Sequence, residues 1–109
     1  MTIEWGEPVG VDDEFPARFA LHQNTPNPFN PVTTIAYDVP APGGDVSVTV
    51  YDVAGRLVRT LVDSLQEPGV LATVWDGRDE RGARVASGVY YCRMQSADFD
   101  ETIKLTLLK

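Results

Sequence analysis

The chain has 109 residues, 43% of them hydrophobic and 23% charged, a size and composition that fit one domain with a modest core. Its formal net charge is -7, and five of its 16 acidic residues lie in the first 16 positions, where no Lys or Arg occurs. An acidic balance without a basic stripe argues against nucleic acid and anionic membranes as partners. No apolar run approaches 18 residues, so we expect no membrane insertion.

Residues 1–18 follow neither a strand nor a helix period, and they combine acidic residues with two prolines. This composition is typical of a linker rather than of a packed element. We therefore predict that 1–18 are an acidic linker or the remnant of an upstream segment. A single folded domain is expected over 19–109.

The segment 24–31 reads Asn-Thr-Pro-Asn-Pro-Phe-Asn-Pro and holds three prolines within six residues. Proline fixes φ and lacks a backbone donor, and it pushes the preceding residue toward extended geometry. The segment can therefore be neither a helix nor an interior strand. We predict a stiff, extended lead-in to the strand that follows it.

Short runs of alternating apolar and polar residues occupy the rest of the chain, at 32–39, 46–50, 57–62, 70–75, 89–94 and 99–108. Turn residues separate the runs, and no window of a dozen residues carries a helical stripe free of Gly and Pro. This pattern predicts an all-β chain folded as an antiparallel β-sandwich. The residues expected in its core are Ile35, Tyr37, Val48, Val50, Leu57, Leu61, Trp75, Tyr90, Cys92, Leu105 and Leu107.

Residue types that support catalysis are sparse. His22 is the single histidine and has no Cys nearby, which argues against a zinc site. The chain has no nucleophile elbow to accompany His22 in a catalytic triad. Cys92 is the single cysteine, so an internal disulfide is excluded, and we expect a buried thiol that acts as a small hydrophobic residue. We predict neither enzymatic activity nor a cofactor.

The loop 76–82 is the best candidate for a ligand site. Asp76, Asp79 and Glu80 could together offer oxygen ligands to Ca²⁺. However, Arg78 and Arg81 lie among them as competing ion-pair partners, and the spacing differs from that of a calcium-binding loop. We favour the alternative, an Asx-type turn that closes a hairpin.

Five aromatic residues on the predicted strands could line a sugar-binding face: Tyr37, Tyr51, Trp75, Tyr90 and Tyr91. Successive residues of a strand point to opposite faces, so at least one of Tyr90 and Tyr91 is expected in the core. Tyr and Trp on strands usually serve packing, with the polar tip bonded nearby. Packing is therefore the interpretation we favour for this set.

Four motifs in order resemble one known family. The first is Leu21-x-Gln23-Asn24-x-Pro26-Asn27-Pro28-Phe29-Asn30-Pro31-x-Thr33-x-Ile35-x-Tyr37, and the second is Val50-Tyr51-Asp52-x-x-Gly55-Arg56-Leu57-Val58-Arg59-Thr60-Leu61. The third is Trp75-Asp76-Gly77-Arg78-Asp79-x-x-Gly82 with Ala86-Ser87-Gly88-Val89-Tyr90-Tyr91-x-Arg93, and the fourth is Lys104-x-x-Leu107-Leu108-Lys109. Over 19–109 the chain resembles the type IX secretion C-terminal sorting domain (type A) and the similar FlgD-like immunoglobulin-like domain.

This resemblance implies an immunoglobulin-like sandwich of about seven strands that acts as an address on a larger exported protein. The implied partners are the outer-membrane translocon, a sortase-like peptidase that cleaves upstream of the domain, and the passenger domain in the same chain. The passenger would pass through the periplasm and end up secreted or on the cell surface.

Partner recognition is expected at the last strand, whose open edge could add to another sheet. The residues expected to take part are Gly88, Tyr90, Lys104, Leu107, Leu108 and Lys109. Two alternatives stay open. One is a structural immunoglobulin-like assembly module of the hook-cap type, and the other is an accessory carbohydrate-binding module.

Overall fold

The computed structural model describes residues 15–108. Most of the predicted linker, 1–14, lies outside the described residues, as does Lys109, while 15–18 contain no strand. Seven β-strands follow: β1 Ala20–Leu21, β2 Thr33–Val39, β3 Gly44–Tyr51, β4 Leu57–Gln66, β5 Gly69–Trp75, β6 Gly88–Ser96 and β7 Phe99–Leu107. No helix capable of crossing a membrane occurs in this part of the chain.

The strands form two antiparallel sheets. One sheet has the order β1-β2-β5, and the other has the order β4-β3-β6-β7. The predicted all-β, immunoglobulin-like sandwich is confirmed. β1, which is only two residues long, is the strand that the alternating sequence pattern did not reveal.

The core lies between the sheets because alternate residues of each long strand point inward. In β3, for example, Val46, Val48 and Val50 are buried, whereas the residues between them are partly exposed. The buried apolar side chains are Leu21, Phe29, Ile35, Tyr37, Val39, Val46, Val48, Val50, Trp75, Tyr90, Cys92, Met94, Leu105 and Leu107. Nine of the eleven predicted core residues are in this set.

Leu57 corrects the core prediction, because 53% of this residue is exposed. Its cross-strand partner is Tyr51, which follows the inward-facing Val50 and therefore points outward. The β3–β4 pairing shifts register twice, and such a shift carries residues to the other face of a sheet. Leu61 lies at one of these shifts and is only partly buried against the core.

Burial makes Cys92 chemically inert. The thiol is completely enclosed, as predicted, and desolvation raises its pKa to about 12. Because the thiolate is the reactive species, we expect almost no alkylation of the native chain by iodoacetamide at pH 8. Alkylation should become fast once urea unfolds the chain. Rapid labelling of the native chain, followed by mass spectrometry, would contradict this burial.

Candidate recognition surface at one end of the sandwich

The sequence motifs converge on one end of the sandwich, which we call the loop end. It comprises 24–32, the β3–β4 loop 52–56, the β5–β6 loop 76–87, and the end of β7 at 107–108. The opposite end, which we call the turn end, comprises the turns 40–43, 67–68 and 97–98 together with 15–19. Antiparallel pairing produces this division, because β2, β4 and β6 begin at the loop end and β3, β5 and β7 finish there.

The segment 24–31 doubles back on itself, so its predicted course as an extended lead-in is wrong. Thr25 and Thr34 exchange two backbone hydrogen bonds of 2.9 Å, which closes the segment into a loop. Buried Asn24 fastens the loop from inside, because its Nδ2 donates to Pro26 O at 3.1 Å and to Thr33 Oγ1 at 2.9 Å. Thr33 Oγ1 in turn donates to Pro26 O at 2.8 Å.

This loop is bonded along the outer edge of β7. Asn27 Oδ1 accepts from the backbone N–H of Thr106 at 3.0 Å, and Phe29 N–H donates to Thr106 O at 3.0 Å. The N–H of Leu108 then donates to Phe29 O at 2.9 Å. The proline-rich segment therefore satisfies the backbone groups that the final part of β7 would otherwise expose.

The occupied edge corrects the prediction that the last strand is open for docking. Gln23 Nε2 donates to Lys104 O at 2.8 Å, so the contacts with 23–29 extend from Lys104 to the end of β7. A partner could add a strand there only by displacing this loop.

An aromatic stack supports the loop from below. The ring of Phe29 lies 5.6 Å from that of Trp75, which lies 5.3 Å from that of Tyr90 in an edge-to-face contact. Trp75 Nε1 donates to Arg78 O at 2.9 Å, and the Tyr90 hydroxyl donates to Ala86 O at 2.6 Å. The stack therefore joins the proline-rich loop to the β5–β6 loop.

Two matched turns form much of the remaining surface. In each, an aspartate Oδ1 accepts two backbone N–H bonds of 2.9 Å, from the residues two and four positions later. Asp52 begins the first turn and Asp79 the second, and the glycine three positions later has a φ of +83° at Gly55 and +85° at Gly82. Only glycine adopts that region without cost. The Asx turn favoured for 76–82 is thus confirmed, but it closes only the isolated bridge between Arg78 and Arg84 and not a hairpin of β5 and β6, which lie in different sheets.

The calcium candidate fails on geometry. Asp79 is committed to its own turn, whereas Glu80 Oε2 accepts from the N–H of Thr60 at 2.7 Å. Asp76 Oδ1 accepts from the N–H of Arg78 at 3.2 Å. The three carboxylates bind different partners, and within 15–108 no group of three His, Cys, Asp or Glu side chains could hold a metal ion.

Charge is distributed unequally between the two ends. The loop end carries four arginines and four acids, and Arg59 at the start of β4 adds a fifth arginine by pairing with Asp76 at 3.5 Å. The residues are Arg56, Arg59, Arg78, Arg81, Arg84, Asp52, Asp76, Asp79 and Glu80. Toward the turn end lie seven acids and two arginines: Asp38, Asp45, Asp63, Glu67, Asp98, Asp100, Glu101, Arg18 and Arg93. A partner would therefore meet a mixed, slightly basic surface at one end and an acidic one at the other.

The predicted recognition residues divide between surface and core. Gly88, Lys104 and Leu108 are exposed. Tyr90 and Leu107 are buried, which corrects their assignment as contact residues, because a partner cannot reach them in the folded domain. Lys109 lies outside the described residues.

A small cavity of about 260 Å³ opens beside the buried Leu107. Asn30 and Pro31 line one part of its wall, and Arg84 and Val85 line another. The sequence patterns did not single out Arg84 as a member of this surface. Only the position of Arg84 after the matched turn could have indicated it.

The predicted sugar-binding set is also divided. Tyr37, Trp75 and Tyr90 are buried in the core, so a platform of five aromatic rings does not exist. Tyr51 and Tyr91 are cross-strand partners on the outward face of the larger sheet. They lie on the face of the sheet opposite to the aromatic stack, and these two tyrosines are what remains of the carbohydrate-binding interpretation.

Comparison with known proteins agrees with this fold. A family model for the FlgD Ig-like domain matches residues 27–100. The chain is similar to PorZ of Porphyromonas gingivalis, an essential bacterial surface component of the type IX secretion system, with 27% identity and a TM-score of 0.57 over 80% of this chain. It is likewise similar to FlgD from P. aeruginosa, with 27% identity and a TM-score of 0.54 over 69% of this chain.

Dimeric latent PorU from P. gingivalis shares the fold at 21% identity, with a TM-score of 0.63 over 85% of this chain. The chain spans only 11% of PorZ, 10% of PorU and 58% of FlgD. No curated protein matches the sequence.

The contact between the rings of Phe29 and Trp75 predicts that removal of the Phe29 ring strongly destabilises the domain. Phe29→Ala should lower the free energy of unfolding by roughly 3–5 kcal/mol, because the ring fills a closed space against Trp75. Val32→Ala, in the same loop but with 46% of the residue exposed, should cost under about 1 kcal/mol. Urea unfolding measures both, and equal costs would show that the loop does not depend on this ring.

The matched turns predict a charge-dependent response to acid. Backbone N–H donors, chiefly those of Arg56 and Ala83, lower the pKa of Asp52 and Asp79. Their stabilisation is therefore complete above the unfolded pKa of about 3.9 and is lost as the pH falls through the lower folded value. The double variant Asp52→Asn/Asp79→Asn keeps both Oδ1 acceptors but removes this pH dependence.

Thermal unfolding between pH 7 and pH 2.5 checks this expectation. The wild type should lose more stability at the acid end than the double variant does. Asp98→Asn is the control, because its side chain makes no hydrogen bond within 15–108. An identical acid response in all three proteins would contradict the role of these turns.

Proposed function

This chain belongs to the FlgD Ig-like domain family, and from that premise we propose that it is a sorting domain of an exported protein. The domain presents a folded surface to the outer-membrane translocon of type IX secretion. A sortase-like peptidase then cleaves upstream of it, and the passenger is left secreted or on the cell surface.

The similarity to PorZ supports this proposal over a role confined to flagella. PorZ is a surface component of a type IX secretion system, and its similarity covers 80% of this chain at 27% identity. The similarity extends across both sheets and the intervening loops rather than one short motif.

The single observation that carries the proposal is the convergence of four separate sequence motifs on the loop end. The chain enters the domain at the turn end, at Phe19 and Ala20, whereas β7 finishes among the motif loops. Strands of seven to ten residues separate the ends by roughly 20–30 Å. A passenger joined through 1–18 would therefore leave the loop end accessible to the translocon.

The chemistry of the loop end fits recognition rather than catalysis. Its carboxylates at Asp52 and Asp79 are committed to turn hydrogen bonds, and that of Glu80 caps Thr60. His22 lies away from them and bonds Asp38 at 2.9 Å. We therefore extend the proposal to a domain that catalyses no reaction and needs no cofactor.

A structural assembly module is the second candidate function, and the similarity to FlgD favours it. This chain spans 58% of FlgD, a larger share than it spans of PorZ. In that case the functional surface would be one that joins copies of the domain. The two functions therefore differ in the surface they use, and variants at the loop end distinguish them.

Export of a fused reporter tests the sorting role in a bacterium that has type IX secretion. Leu108→Asp and Arg84→Glu alter exposed loop-end residues, and we expect each to lower export by roughly tenfold, equivalent to about 1.4 kcal/mol of lost binding. The matched controls are Leu65→Asp and Arg18→Glu, which make the same changes toward the turn end and should export normally.

The fold of every variant is checked by thermal unfolding of the isolated domain. Deletion of β7 after Glu101 is unsuitable, because it would remove Leu105 and Leu107 from the core. Normal export of both loop-end variants with a retained fold would refute the sorting proposal. That result would not contradict the second candidate function, in which the domain is a structural assembly module.

A further inference from the structure

A β-sandwich of two open sheets has four edge strands, and here three of them are protected. β7 is bonded to 23–29 along its final part, and its remaining part carries Asp100 and Glu101. Glu80 caps β4 by donating its N–H to Val58 O at 3.1 Å, and the pairing of β4 with β3 is irregular. β1 is only two residues long. Charges, irregular pairing and short length are common protections against edge pairing.

β5 lacks all of these protections. β2 directs the backbone groups of Thr34 and Ala36 toward the β1 side, so its odd-numbered residues bond β5. In β5 the N–H and C=O groups of Val70, Ala72 and Val74 consequently point away from the sheet. Within 15–108, none of these groups takes part in a hydrogen bond with another strand or loop.

The side chains of β5 are also unusual for an edge. The strand reads Gly-Val-Leu-Ala-Thr-Val-Trp without a charge, and it pairs with β2 in an unbroken register. Val70 is 71% exposed and Val74 is 54% exposed. A long, regular, uncharged edge of this kind favours pairing with another strand.

We propose that the β5 edge pairs antiparallel with β5 of a second copy of this chain, around a two-fold axis at Ala72. Val70 of each copy then lies opposite Val74 of the other, and the three outward residues of each strand supply the hydrogen bonds. The two sheets of three strands join into one sheet of six. An identical strand is a suitable partner because no like charges meet across the axis.

Charge beyond the strand supports the same arrangement. In this register Glu67 of one copy lies opposite position 77 of the other, between Asp76 and Arg78. Asp76 is already paired with Arg59 and Arg78, so two arginines and one aspartate leave a net positive charge there. The antiparallel pairing therefore brings the acidic turn end of one copy to the mixed, slightly basic loop end of the other, twice per dimer. A parallel pairing would instead place like ends together.

The interface is small, so association is weak. Pairing of two edge strands buries less than the roughly 1,200 Å² typical of stable complexes. We expect a dissociation constant of roughly 0.1–1 mM for the isolated 109-residue chain. Such pairing becomes important where copies are concentrated on a surface or in an assembly.

Sedimentation equilibrium from about 10 µM to 1 mM tests the proposal on the full 109-residue chain. The average mass of the wild type should rise from 12.0 kDa toward twice that value. Ala72→Pro should remain at the monomer mass throughout. Proline removes an N–H that points away from the sheet, a position that tolerates it in edge strands. Glu67→Lys should weaken association several-fold.

The control Glu101→Lys makes the same charge change on β7, and it should associate like the wild type. Thermal unfolding reports whether Ala72→Pro retains its fold; if it does not, Val70→Lys/Val74→Lys replaces it. A wild type that stays monomeric to 1 mM overturns the proposal, and so does a folded edge variant that still dimerises. None of these residues belongs to the loop end, so the result is independent of the export test.

Discussion

The loop that carries Asn27 and Phe29 holds the first and last parts of the domain together. Its hydrogen bond from Thr106 to Asn27 joins residues 79 positions apart, and the Phe29 ring closes the core against Trp75. Proline suits this segment, because a chain lying along a finished edge needs few donors of its own. Without the loop, the end of β7 would lose its hydrogen-bond partners and Trp75 would be opened to water.

The rigid loops make this end of the sandwich a preformed surface for a binding partner. Asp52 and Asp79 each build a turn from backbone hydrogen bonds, and Trp75 and Tyr90 each donate to a carbonyl of the β5–β6 loop. A preformed surface loses little conformational entropy when a partner binds. The same hydrogen bonds occupy the carboxylates of Asp52 and Asp79, so the groups that make these turns rigid are committed to the backbone.

The strands were predictable from sequence because successive residues of a strand point to opposite faces, so apolar and polar residues alternate along it. That rule placed Val48, Val50, Cys92 and Leu105 correctly. It failed at Leu57, where a register shift reverses the faces, and alternation in one strand cannot reveal a shift relative to another. Phe29 was missed because its burial depends on β7, a strand far away in sequence.

The two candidate functions share a fold, so surfaces must decide between them. The loop end is formed by loops at one pole, whereas the β5 edge runs along the side between the poles, so the surfaces do not overlap. An exported domain could therefore be read at its loop end while pairing through β5 with a neighbouring copy. Glu80 supports this separation of the two surfaces, because it bonds the edge of β4, the strand that precedes β5, and leaves the β5 edge open. Selective protection of adjacent edges is difficult to explain by folding alone, since both need the same defence against aggregation.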